Sequence, residues 1–300
     1  MTAVRTRLAR AIAYLSAGTR RTEIARRSSQ PRHRRERLGV EALEQRLVLT
    51  PITWTGKADG VSWQVADNWD LRRVPAASDD VIIPDIASSP NVTYSQGITS
   101  INSLTSFETL VLSGGSLSID GKLRASQLNG PFFQTGGVLM LGGGNLGSAQ
   151  PLRMQGGVLA GAGTVTATVE NAAGELSPHG ILTINGNYVQ GPGGRLTVEI
   201  GGLTPGIGFD QLQVTGQATL DGTLNLKLKP NVVATAGDNF EILTFGSSFG
   251  QFSASFGLEL GGGRVFEKTF GPNGLFVVFK VVNTPPFVAN PIPDLTVLED

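Results

Sequence analysis

Ile184-Asn185-Gly186-Asn187-Tyr188-Val189-Gln190-Gly191-Pro192-Gly193-Gly194-Arg195-Leu196-Thr197-Val198-Glu199-Ile200 decides how the chain folds. After a short break the same style of sequence runs from Asp210 through Val214-Thr215-Gly216 and Gly222-Thr223-Leu224 to Leu228. Leu196, Val198 and Ile200 alternate with Thr197 and Glu199, and Leu224, Leu226 and Leu228 alternate with Asn225 and Lys227. Successive side chains of a strand point to opposite faces, so this period of two marks half-buried strands. The register predicts Leu196, Val198, Leu224 and Leu226 buried and Thr197, Glu199, Asn225 and Lys227 exposed. Glycine-rich corners separate the strands, as in a chain that coils in stacked turns rather than around a pocket.

Upstream the pattern repeats. Gly115-Ser-Leu117-Ser-Ile119 is echoed by Gly137-Val-Leu139-Met-Leu141, Gly157-Val-Leu159-Ala-Gly161 and Gly180-Ile-Leu182-Thr-Ile184, at spacings of 22, 20 and 23 residues. A turn followed by x-Leu-x-apolar at a period just above 20 is the signature of a solenoid. One coil cannot bury its apolar side alone, and stacked coils can. Glycine at the corners permits positive φ and close approach of neighbouring coils. The expected fold class is all-β, a right-handed parallel β-helix or solenoid preceded by a short basic N-terminal leader, with helix confined to the first 50 residues. Farther on, Phe240-Glu-Ile-Leu-Thr-Phe245 alternates, and Leu275-Phe-Val-Val-Phe279 reads as a strand buried on both faces.

Composition agrees with many tight turns: 40 Gly and 16 Pro in 300 residues, with 16% charged residues against the usual quarter. The absence of cysteine excludes disulfides, thiolate metal sites and cysteine nucleophiles. Net charge is zero but unevenly spread. Residues 1–50 hold twelve Arg against four Glu, and the other 250 hold twelve Lys and Arg against twenty Asp and Glu. A basic leader before a mildly acidic body reads as a targeting segment on an exported protein. The other reading is a basic arm that binds nucleic acid or membrane; the body has no basic patch to complete a nucleic-acid site, so no nucleic-acid partner is expected. No apolar stretch approaches the ~18 residues of a transmembrane helix.

Four resemblances accompany these readings. Arg34-Arg35-Glu36-Arg37-Leu38-Gly39-Val40-Glu41-Ala42-Leu43-Glu44-Gln45-Arg46-Leu47-Val48-Leu49 resembles an N-terminal export motif on secreted proteins of planctomycete-type bacteria, with Gln45 where that motif has proline. Its Val40, Leu43 and Leu47 share one helical face. The run Trp54-Thr-Gly56, Trp63, Asn68-Trp69-Asp70 and Asp79-Asp80-Val81-Ile82-Ile83 resembles the capping module that precedes β-solenoids in bacterial surface proteins. Such ends need large apolar caps, which tryptophan supplies; the alternative is a sugar site built on indole faces. Gly186-Asn187-Tyr188, Phe209-Asp210-Gln211-Leu212 and Gly237-Asp238-x-Phe240-x-Ile242-Leu243 resemble the passenger-associated repeats of autotransporter-type proteins. Pro291-Ile292-Pro293-Asp294-Leu295-Thr296-Val297 resembles the first strand of a cadherin-like or immunoglobulin-like domain, cut short at residue 300. The segments are therefore 1–50 (leader), 51–97 (Trp-rich cap), 98–282 (solenoid) and 283–300 (Pro-rich linker and first strand of a truncated domain).

Little in the chain speaks for catalysis. Of two histidines, His33 lies in the leader and His179 in the turn Ser177-Pro178-His179-Gly180. Ser177 and His179 would need a distant Asp, and no Gly-x-Ser-x-Gly elbow is present. Polysaccharide-cleaving β-helices need carboxylates gathered on one outer face. Here Asp120, Glu170, Glu175, Glu199, Asp210 and Asp221 are scattered one per turn, and Asp79-Asp80 reads as a solvated turn. Gly142-Gly-Gly-Asn145 lacks the Lys-Ser/Thr of a phosphate loop. Asn91-Val-Thr93 is a formal glycosylation sequon. No catalytic, cofactor-binding or metal residue is predicted and no cofactor is implied. The one weak calcium signal is Asp294, Glu299 and Asp300, which would need partner ligands beyond residue 300. The reading is a non-catalytic structural or adhesive module of a larger exported bacterial protein, located at the cell surface. Its partners would be cell-wall polymer, polysaccharide or neighbouring surface proteins. The alternative is a carbohydrate-binding or polysaccharide-cleaving β-helix.

Overall fold

The computed structural model describes residues 51–86, 91–230, 232 and 234–283. All belong to the compact unit Leu47–Asp300, one of two into which the chain divides. Residues 1–50, expected to be a leader with an export motif, and the segment 284–300 with Asp294, Glu299 and Asp300, lie outside the described residues. Strand is the dominant element of the described chain, joined by turns and short irregular segments; its helical content is one 3-10 turn, Ala66–Asn68.

The chain is a parallel β-helix with three sheet faces per coil. Face 1 stacks Ile98–Ile101, Ser116–Ile119, 138–141, 158–161, 175–178, Arg195–Ile200, Thr223–Leu228 and Ala254–Phe256. Face 2 stacks Ile52–Thr53, Asp80–Ile83, Ser103–Ser106, Ser126–Leu128, 145–148, 163–166, 181–184, 211–214 and 239–245. Face 3 stacks Val92–Tyr94, Leu110–Leu112, Phe132–Gln134, Leu152–Met154, Val169–Asn171, Tyr188–Gln190, 217–220 and 247–250. Several strands bend from face to face without a loop: Val138–Ser148 and Val158–Thr166 shift register at Gly142/Asn145 and Gly161/Gly163. Bulges of this kind let a strand turn a corner.

Inside, like side chains stack coil on coil. On face 1, Leu117, Leu139, Leu159, Leu176, Leu196 and Leu224 are consecutive register partners, all buried. On face 3, Val92, Leu110, Phe132, Leu152, Val169, Tyr188 and Ala218 do the same. The corner from face 3 to face 1 is built on glycine. Gly137 and Gly157 have φ of +65° and +71°. A Cβ on Gly137 would lie 2.6 Å from the Gly114 carbonyl, and one on Gly157 would lie 2.5 Å from that of Gly136. Both handedness and coil spacing therefore demand glycine there. Beneath this corner three buried side-chain amides satisfy backbone carbonyls and an N–H. Gln134 Nε2 donates to the Val158 carbonyl at 2.9 Å, Asn171 Oδ1 accepts from the Gly174 amide at 2.8 Å, and Gln190 Nε2 donates to the Asp221 carbonyl at 2.6 Å.

Three sequence expectations need correction. Gly180 does not continue the Gly115, Gly137, Gly157 column: Val158 pairs with Glu175, which puts Gly174 above Gly157. Leu182 and Ile184 instead pair with Gly163 and Val165 on face 2. The coil from 158 to 174 is three residues shorter than the one before it, with one residue fewer at its first corner and two fewer at its second, and the x-Leu-x-apolar phrase recurs on two faces. Leu196, Val198, Leu224 and Leu226 are buried as expected, but of the four residues expected exposed only Lys227 is; Glu199 and Asn225 are half-buried and Thr197 is 0% exposed. Its hydroxyl accepts from Nδ2 of Asn225, its register partner, at 3.4 Å, so it meets the next coil rather than water. Finally, Leu275–Phe279 alternates buried and half-buried positions in the strand Gly274–Val281.

That strand belongs to a closing hairpin. Gly274–Val281 runs antiparallel to both Arg264–Phe270 and 239–244, so the parallel coils give way to an antiparallel cap. Phe209, Phe240, Phe266 and Phe279 form an edge-to-face chain with centroids 5.4, 5.9 and 5.8 Å apart. The other end is sealed by tryptophan. Trp54 and Trp63 each pack edge-on against Trp69, at 5.0 and 4.9 Å, and Trp63 meets Tyr94 of the first face 3 strand at 5.7 Å. Trp69 Nε1 donates to the Trp63 carbonyl at 2.8 Å. All three indoles are buried, which leaves no indole face for a sugar ring.

Candidate functional site

Three of the residues that the sequence singled out as candidate chemistry, His179, Glu199 and Asp210, meet in one place. Between Arg195–Ile200 on face 1 and Gln211 on face 2 the corner carries an insertion, 201–210, closed by an antiparallel bridge between Ile200 and Phe209. One coil earlier the same corner is Pro178-His179-Gly180, where the strand Glu175–Ile184 bends. The two corners enclose an open cleft of about 490 Å³ lined by His179, Gly180, Glu199, Gly206, Ile207, Asp210 and Lys229.

Asp210 is buried at the cleft floor and is committed to structure. Its Oδ1 accepts from the Gly180 amide at 2.8 Å and its Oδ2 from the Glu199 amide at 3.0 Å. The carboxylate thus ties the insertion to the coil before it and is oriented toward backbone, not toward imidazole. Glu199 lies 3.4 Å from Lys229 Nζ, both partly exposed. His179 is exposed and makes no hydrogen bond among the described residues, and Ser177 does not line the cleft. His179, Glu199 and Asp210 therefore share a cleft that the one-per-turn spacing of the sequence concealed, but Ser177, His179 and Asp210 do not form a relay. A relay needs each group hydrogen-bonded to the next.

The remaining acids hold turns or stitch coils. Glu170 pairs with Arg153 at 3.1 Å and Glu175 approaches Arg195 at 4.0 Å, each across adjacent coils. Asp120 pairs with Lys122 at 3.2 Å. Asp221 accepts from the Gly222 amide at 2.6 Å and from the Ser253 hydroxyl, and the latter bond above all holds its carboxyl below the usual carboxylate range.

Asp79 and Asp80 are not the solvated turn that the sequence suggested, since both are buried. Arg73 grips Asp79 with two nitrogens at 2.5 and 2.8 Å, and the Ala76 amide adds a bond at 2.7 Å. The Arg73 hydrogen bond is the main reason the Asp79 carboxyl sits below its ordinary pKa. Asp80 accepts from Asn102 Nδ2 and Ser103 Oγ, both at 2.6 Å, and pairs with Arg124 at 3.2 Å. The two neighbours on the chain thus point to different partners and share no proton. Sequence reasoning could not foresee this, because Arg124 is 44 positions away.

Among the described residues no group of three or more His, Asp or Glu side chains is placed to hold a metal ion, and no helix is long and apolar enough to cross a membrane. No family model matches the chain, and no curated protein matches it.

Proposed function

We propose that the chain is a non-catalytic extracellular module of a larger exported bacterial surface protein, structural or adhesive in role, which acts through the length of its repeated faces. The observation that carries this reading is the commitment of its carboxylates. Asp79, Asp80, Glu170, Asp210 and Asp221 each hold a backbone amide, a hydroxyl or a cation, and so join one coil or turn to another. An enzyme of the polysaccharide-cleaving kind keeps a pair of carboxyls free for proton transfer and attack. Export is supported by the charge contrast between residues 1–50 and the rest. A stack of like coils suits weak contacts repeated along a polymer or a neighbouring cell surface, where avidity replaces single-site affinity.

The cleft of His179, Glu199 and Lys229 favours the second reading, cleavage of polysaccharide, because it holds an exposed imidazole beside a carboxylate. The two are separated by incubating the full chain with neutral and acidic polysaccharides and measuring release of reducing or unsaturated ends. No release supports the surface module. Release that disappears in His179→Ala or Glu199→Gln establishes the enzyme.

A further inference from the structure

Face 2 differs from the other two in what it shows to solvent. On the same coils, face 3 carries the Arg153–Glu170 pair outward and face 1 carries Glu175 and Arg195. Outside the buried Leu182, Ile184, Leu212 and Val214, face 2 carries no charge over 163–166, 181–184 and 211–214; elsewhere on this face stand the buried Asp80 and the half-buried Glu241. In one coil its outward residues are Thr164, Thr166 and, at the corner to face 3, Thr168. In the next they are Thr183, Asn185 and Asn187. In the third they are Gln213, Thr215 and, at the corner where face 3 begins, Gln217.

These side chains form a grid of hydroxyls and amides. Neighbouring coils lie about 4.8 Å apart and alternate residues of a strand about 6.6 Å apart. Part of the grid is joined internally: Thr215 Oγ1 donates to Asn185 Oδ1 at 3.1 Å, and Asn187 Oδ1 accepts from the Gln217 amide at 2.9 Å. That pins the two Asn carboxamides. Their Nδ2 groups, the Gln217 side-chain amide and the Thr166 hydroxyl make no hydrogen bond among the described residues and stand at exposed positions. The result is a rigid, flat, neutral surface of oriented donors and acceptors.

We infer that this uncharged Thr/Asn/Gln grid on face 2 is the contact surface for a neutral, hydroxyl-rich polysaccharide. The inference rests on the reading of the chain as a surface module and names the face and the ligand class. Carboxamides and hydroxyls match vicinal sugar hydroxyls, each of which both donates and accepts. A surface without cations has nothing to offset desolvation of an acidic polymer, whose carboxylates or sulfates would meet only neutral dipoles. The grid repeats along the stack, so an extended polymer can engage several coils at once, which multiplies contacts that are individually weak.

The test titrates the full chain with soluble neutral polymers (a β-glucan, a mannan and a xylan) and with polygalacturonate, by affinity electrophoresis and calorimetry. Retardation by at least one neutral polymer and not by polygalacturonate is expected. The triple variant Thr166→Val/Asn185→Ala/Gln217→Ala should lose about tenfold or more of that binding, while Arg153→Ala/Glu170→Ala on face 3 should lose none. Should the triple variant fail to fold, Thr166→Val and Gln217→Ala singly carry the test, each weakening binding by about threefold. Equal binding by wild type and variants, preference for polygalacturonate, or no binding to any neutral polymer would overturn the inference and leave the surface-module reading standing. Release of sugar ends would instead overturn that reading.

Discussion

Leu159 and Leu176 are register partners on adjacent coils, 17 positions apart, and both are almost fully buried. Their stacking fixes the shortest coil of the solenoid and places each in a column of six leucines. Truncating a buried leucine removes its transfer free energy and leaves a cavity that rigid coils cannot close, at about 2–5 kcal/mol. Leu159→Ala is expected at the upper end of that range. Leu224→Asp should cost more, because it buries a charge without a partner. Denaturant unfolding of the two variants measures both; unchanged midpoints would contradict the column.

The glycine corner makes a second prediction. Gly137→Ala forces a side chain onto a residue with φ of +65° and against a carbonyl 2.6 Å away. It should destabilise by about 2 kcal/mol or more, from left-handed strain and steric clash together. Gly237, also at positive φ but with no atom within 4 Å of a built Cβ, should lose only the strain part when changed to Ala. Thermal melting of the pair separates corner contact from conformation.

Asp79 sets an acid limit on stability. Its carboxyl is held below the ordinary value by Arg73, so as pH falls below about 4 the unfolded chain takes up a proton before the folded one. The contribution is present above that pH and fades as pH drops through the folded value. Melting temperature should decline between pH 5 and pH 2. Asp79→Asn should be less stable near neutrality and decline less steeply over that window. Parallel melting curves for the two proteins would show that the pair contributes nothing to the acid limb.

The buried indoles carry a prediction about ligands. Trp54, Trp63 and Trp69 serve the end cap and present no ring to solvent. Saturating polysaccharide should leave tryptophan emission unchanged in wavelength and intensity. A ligand-dependent shift would place the sugar at the cap.

The sequence made the solenoid legible through its period-two alternation and recurrent glycine, and it identified the inward residues Leu196, Val198, Leu224 and Leu226. It misled where one phrase served two faces: Gly157-Val-Leu159 and Gly180-Ile-Leu182 look alike, yet one begins face 1 and the other face 2. Burial of Thr197 was hidden because a strand pattern says which way a side chain points and not what the next coil lays over it. The cleft was hidden for a topological reason. His179, Glu199 and Asp210 sit on successive passes through one corner, and their proximity depends on coil lengths that local patterns do not fix. Gln134, Asn171 and Gln190 were overlooked because an amide among apolar residues gives no signal until the backbone groups it satisfies are known.

Removal of whole coils tests the central claim most directly. Deleting 158–174 joins Gly157 to Glu175 and preserves register, and deleting 138–174 removes a second coil at the same seam. The account predicts that both shortened chains fold with cooperative melting. Their adhesion to polysaccharide-coated surfaces should fall in steps with each coil lost, and no chain should release sugar ends. Adhesion that survives both deletions unchanged, or that vanishes on the single substitution His179→Ala, would contradict it.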